Sequence, residues 1–145
     1  MLVLVRVRVD VGRFLPPLRN FLSTRVDEES MDRLDHEKLD VYPRSLELLI
    51  LVRQILARLP RGERELREQL GRAARSIPAN IAEGAGKPTA PDRARFHAIA
   101  RGSAMECGAW LDVCRIEGFV PAGETDRAKA LVVRIVAMLT KMCRR

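Results

Sequence analysis

The stretch Ser76-Ile-Pro-Ala-Asn-Ile-Ala-Glu-Gly84 places the tightest constraint on what this chain can fold into. At helical spacing, Ser76, Asn80 and Glu83 fall on one stripe, because residues three and four apart are neighbours on a helix. Ile77 and Ile81 lie beside them and continue an apolar stripe that begins at Leu66, Leu70 and Ala73. A polar stripe running along an apolar one suits a helix packed against other helices, with its polar groups bonded across an interface. Pro78 lacks a backbone donor and is predicted to kink or loosen this helix near residue 74. Gly84 and Gly86 are predicted to end it.

Three more helices follow from the same periodicity. The first is expected over 42–59, with Pro43 in its first turn, Asp40 as cap, and Pro60 and Gly62 as its stop. It is apolar on more than one side. Leu48, Val52, Ile55 and Leu59 form one stripe, Tyr42, Leu49 and Leu56 a second, and Leu46, Ile50 and Ala57 a third. A bundle core needs a stripe of roughly 100°, so the surplus calls for a cover. Leu48, Leu49, Val52, Ile55, Leu56 and Leu59 are therefore the expected contacts between copies. The second helix spans 63–83. Thr89 and Asp92 form a loose capping box for a third helix over 91–117. Its core face is expected to carry Phe96, Ile99, Ser103, Cys107, Trp110 and Cys114, with Gly102 and Ser103 admitting a close neighbour. The fourth spans 124–143, with Leu131, Ile135, Leu139 and Met142 as its stripe. The fold class is all-α, an up-down four-helix bundle over 31–145.

Residues 1–30 do not conform. Val3, Val5, Val7, Val9 and Val11 alternate with Leu4, Arg6, Arg8 and Asp10 in a strand period, and a lone strand has no sheet to join. The segment fits a start placed too early, with Met31 as the true start. A strand added to a partner, and pairing among copies, are the competing readings.

Charge bears on the partner. The 145 residues carry a net charge of +7. Residues 1–30 hold five of the 26 basic and four of the 19 acidic residues, so 31–145 keep a net of +6. The excess favours nucleic acid first and an anionic surface second, against a plain solvated face. Arg64, Arg67, Arg72 and Arg75 on the second helix, and Arg93, Arg95 and Arg101 on the third, are the expected phosphate contacts. No aromatic interleaves them, so base stacking is not expected. Cys107, Cys114 and Cys143 form no C-x-x-C pair and are expected to be buried free thiols in a reducing cytosol. The apolar runs are too short for a membrane span, and a cytoplasmic location is expected.

The most reaction-like group is Asn80 and Glu83 facing Ser103 and Glu106 across antiparallel helices. Two carboxylates could do acid–base work or hold a metal. Neither histidine, His36 or His97, completes an E-x-x-H pair. A structural network of Ser76, Asn80, Glu83, Ser103 and Glu106 is expected instead, since buried polar groups must hydrogen-bond. No enzyme activity, metal or cofactor is expected.

The segments SIPANIAEG (76–84) and FHAIARGSAMEC (96–107) also resemble the intervening-sequence proteins encoded within large-subunit ribosomal RNA genes. The accessory proteins of diversity-generating retroelements are similar. An N-x-x-E-G end and a G-S-x-x-E helix at this separation carry the resemblance, which covers roughly 39–143. It implies an up-down four-helix bundle, a homo-oligomer that can be a ring of about five, and at most a nucleic-acid-binding role. It brings no catalytic residue. The retroelement likeness implies a reverse transcriptase as a further partner. Two functions compete: a nucleic-acid-binding oligomer, and a protein-interaction scaffold whose charge serves solubility.

Overall fold

In a computed structural model, the structure describes residues 33–144. The segment 1–30 with its strand-like alternation lies outside the described residues. A short 3-10 turn, Asp35–Lys38, leads into four α-helices: α1 Val41–Arg58, α2 Arg64–Ala85, α3 Ala90–Ile116 and α4 Ala122–Met142. The described residues contain no strand. Each helix packs on the next and α4 returns to α1, which gives an up-down bundle with α1 diagonal to α3 and α2 diagonal to α4.

The ends follow local chemistry. Asp40 precedes α1 but makes no side-chain cap bond, so the expected cap is absent. Its backbone is already helical, whereas a cap needs an extended one to turn its side chain back. Thr89 does cap α3, accepting from the Asp92 amide at 3.3 Å. The Asp92 carboxylate accepts from the Thr89 hydroxyl at 2.5 Å. Gly118, at φ 69°, ends α3. Its amide donates to the Arg115 carbonyl, and the Phe119 amide donates to the Cys114 carbonyl. That is the pairing of a left-handed helix stop.

The α2 helix remains helical through Pro78, which is buried. It continues past Gly84 to Ala85 and ends at Gly86, the second of the two expected stops. A Cβ at Gly84 would lie 3.1 Å from the Phe96 Cβ and 3.2 Å from the His97 ring. Gly84 is thus a point of close approach between α2 and α3 and not a stop.

The core is small-chained and aliphatic. The expected α2 stripe of Leu66, Leu70, Ala73, Ile77 and Ile81 is buried throughout. On α1, Leu48, Val52, Ile55 and Leu59 are buried within the single chain, and Leu49 and Leu56 pack against that core. These six were expected between copies. The chain's own α2 and α4 already flank α1, and between them they take up two of its three apolar stripes.

The buried face of α3 is rotated from the expected one. His97, Ala100, Ala104, Cys107, Gly108 and Leu111 line it, while Ile99 is exposed and Phe96, Ser103 and Trp110 are half-buried. Close packing selects the small residues. A Cβ at Gly108 would meet Val132 at 3.2 Å, whereas Gly102 has no atom within 4 Å. Gly102 therefore admits no neighbour among the described residues.

His97 is 6% exposed, and neither ring nitrogen has a hydrogen-bond partner among the described residues. Burial, and then the Arg93 charge, lower its pKa from the usual 6.5. The unfolded chain therefore takes up this proton first as pH falls. Stability should be full above pH 6.5 and should decline as pH drops through the folded-state value. His97→Leu should remove that decline and add about 1–3 kcal/mol, since a buried polar group without a partner costs that much. Urea titrations at pH 5 and pH 8 check both effects.

Candidate functional site

The polar group expected between α2 and α3 divides into three. The Ser76 and Ser103 hydroxyls bond to each other at 2.9 Å. Asn80 donates to the Ser76 carbonyl at 2.8 Å and to its hydroxyl at 3.0 Å, and Ser103 donates to the Ile99 carbonyl. These three residues form the seam between the helices. Glu106 pairs instead with Arg72 at 3.2 Å, and Glu83 pairs with Lys87, just past the end of α2, at 2.5 Å. Lys87 also sits over the Phe96 ring at 4.9 Å. Each carboxylate is held by its own cation, so they do not act as a facing pair. Burial pushes the Cys107 thiol up to about 12, where it is no nucleophile. Cys114 is buried and Cys143 half-buried.

The seven expected phosphate contacts differ in how free they are. Arg67 donates to the carbonyls of Leu56, Leu59 and Pro60 at 2.6–3.1 Å, at the end of α1 and in the turn that follows it. Arg93 does the same for the α2–α3 turn, donating to Lys87 and Pro88. Arg101 donates to the Thr140 hydroxyl at 2.8 Å, tying α3 to α4. Arg64 pairs with Glu68 and Arg72 with Glu106. Arg75 and Arg95 are exposed and have no ion-pair partner among the described residues. Arg67→Met should lower stability by about 1.5–3 kcal/mol, the range for hydrogen bonds to a charged group, without changing any affinity for nucleic acid. Urea unfolding and a binding titration on the same sample test this.

A more open positive stripe lies on α4. Arg127, Arg134 and Lys141 are spaced seven residues apart, so they share one face. All three are exposed and have no ion-pair partner among the described residues. From the first to the last they span about 21 Å at 1.5 Å per residue. Their heptad spacing is plain in the sequence. The neighbouring acids are engaged, Glu124 with Arg58 and Asp126 with Arg115. Arg127 and Arg58 also line a cleft of about 470 Å³ between α1 and α4.

A wider cleft of about 620 Å³ opens where the chain enters α1, lined by Asp35, Lys38, Arg93, His97, Met138 and Lys141, among others. Its charges are mixed, and the His97 nitrogens have no exposed surface. It gathers no reactive pair.

The model of one protein family, described as the 23S rRNA-intervening sequence protein, matches residues 37–141. The chain belongs to that family. A crystal structure of a protein of unknown function from the S23 ribosomal protein family of Bacteroides thetaiotaomicron is similar, at 21% identity and a TM-score of 0.68. The likeness covers 72% of this chain and 99% of that one, and at this identity it shows the fold alone. No curated protein matches. Within the family frame, the N-x-x-E-G segment has two structural parts. Asn80 belongs to the polar seam, and Gly84 receives the His97 ring. No helix among the described residues is long and apolar enough to cross a membrane.

Proposed function

We propose that the chain is a non-enzymatic, self-associating bundle that binds nucleic acid through its phosphates, without reading sequence. The observation that carries this reading is the α4 stripe of Arg127, Arg134 and Lys141, three exposed cations with no ion-pair partner among the described residues. Arg75 and Arg95 add two more free charges on α2 and α3. Guanidinium and ammonium groups on a straight helix face suit a phosphate backbone, and such contacts carry no sequence information. The family's description ties it to ribosomal RNA genes, which gives the reading a context without a target. Self-association would multiply the stripe by the number of copies and raise avidity without new contacts.

A scaffold that binds only protein is the second reading. It is favoured by the apolar residues Ile99, Met105 and Ile116, which are exposed along α3. Mobility shift of a labelled RNA hairpin and a DNA duplex at about 50 mM salt separates the two. Retention of both, lost as salt rises, supports nucleic-acid binding. Retention of neither leaves the scaffold.

A further inference from the structure

The wide cleft where the chain enters α1 lies at one end of the cationic stripe. Lys141, the last cation of that stripe, is also part of the cleft wall, so the two form one continuous surface. The 3-10 turn, the starts of α1 and α3, and the ends of α2 and α4 converge there. A volume of about 620 Å³ falls inside the roughly 300–1,000 Å³ of sites that take small molecules.

The wall offers three chemistries. Leu39, Met138 and Met142 are half-buried and make an apolar side. Met138 and Met142 stand one turn apart on α4, and thioethers pack well at the edge of an aromatic ring. Arg93 and Lys141 make a positive side. Arg93 uses only Nη1 on the Lys87 and Pro88 carbonyls, at 3.0 and 2.9 Å, which leaves Nε and Nη2 open among the described residues. Asp40 is the free acceptor. It is exposed, makes no cap bond and has no ion-pair partner among the described residues, whereas Asp35 is held by Lys38 at 3.0 Å. His97 completes the wall, buried, with neither ring nitrogen bonded among the described residues.

These groups together match a ligand with an aromatic body, a phosphate and neighbouring hydroxyls. A bare phosphate leaves the apolar side unused and meets repulsion from Asp40. A fatty acid leaves Asp40 without a donor. A ribonucleotide answers all three. Its base lies against the methionines, its phosphate meets Arg93 and Lys141, and its sugar hydroxyls donate to Asp40, as they do to carboxylates at other ribose sites.

We propose that the cleft takes the unpaired nucleotide at the 3′ end of an RNA strand whose backbone follows Arg127, Arg134 and Lys141 along α4. A 3′-terminal ribose presents both of its hydroxyls, and the 2′-hydroxyl is what separates RNA from DNA at such a site. A base edge that reaches His97 supplies the partner the free chain lacks, once the ring turns to bring out a nitrogen. This proposal rests on the nucleic-acid reading above and adds recognition of a strand end to it.

The test is anisotropy with the full chain at about 50 mM salt, where phosphate contacts are strong. It compares a blunt RNA duplex with the same duplex carrying one unpaired 3′ nucleotide. The overhang should bind about tenfold tighter, the scale of one well-placed contact. A 5′ overhang, or a 3′ overhang ending in a deoxynucleotide, should gain little. Asp40→Asn, at an exposed side chain, should remove the preference for ribose over deoxyribose. Met138→Ala should remove most of the overhang gain. Both variants should bind the blunt duplex as the wild type does, with helical circular dichroism unchanged. Free adenosine monophosphate at millimolar concentration should cancel the gain without displacing the blunt duplex. Equal wild-type affinity for blunt and overhung ends would overturn the cleft assignment and leave the stripe standing. So would an overhang gain that survives both variants. Failure to bind any of these RNAs would remove the nucleic-acid reading itself, and the assignment with it.

Discussion

Gly84→Val should lower the stability of the bundle by about 2–3 kcal/mol, the upper part of the range for overpacking a well-filled contact. At Gly84 even a Cβ would lie 3.1 Å from the Phe96 Cβ. A Cβ is fixed to its backbone, so relief requires α3 to shift as a whole. The His97 ring lies on the other side at 3.2 Å. Gly71→Ala is the matched control. Its nearest neighbour is the end of a Leu56 side chain at 3.3 Å, which can rotate away. There the helix-propensity gain of about 0.5–1 kcal/mol over glycine should win. Urea midpoints with an unchanged slope would show both effects as changes in stability alone. Equal losses at the two glycines would mean that neither close approach is specific.

The same glycine shows how far the sequence could be read. Four helices, their order and the α2 core stripe were legible, because Leu66, Leu70, Ala73, Ile77 and Ile81 keep one period without interruption. The Thr89 cap was legible too, since local chemistry decides it. Gly84 was read as a stop because a glycine near a helix end often is one. Its packing role depends on a neighbour 13 residues away at His97, which local sequence cannot show. The rotation of α3 has a related cause. With apolar residues on nearly every side, its period has no phase, and the choice of Ala100, Ala104 and Gly108 for the interior comes from how closely α2 and α4 approach.

The candidate site was less legible for an electrostatic reason. A sequence shows the number and spacing of arginines but not which acceptors hold them. Arg67 and Arg93 looked available and are committed to backbone carbonyls. Arg64 and Arg72 are paired with acids. On α4, the acids close to Arg127 in sequence are drawn away by Arg58 and Arg115, and the stripe is left free.

Reversing that stripe should therefore have the largest functional effect. Arg127, Arg134 and Lys141, all replaced by Glu, should abolish binding to RNA and DNA at about 100 mM salt. All three side chains are solvent-facing, so the fold should persist. Arg64→Gln with Arg72→Gln should change binding little, because those charges are already compensated. Each phosphate contact contributes about 0.9 to the slope of log affinity against log salt on duplex DNA. Loss of three contacts should flatten the slope by about 2.7 per bound subunit.

The most direct measurement is the anisotropy of a labelled duplex, titrated with the wild-type chain from about 50 to 300 mM salt. The account predicts a straight log–log loss of affinity, steep enough to report at least three released counterions, and the same affinity for duplexes of unrelated sequence. No binding at about 50 mM salt, or binding that salt leaves unchanged, would contradict it.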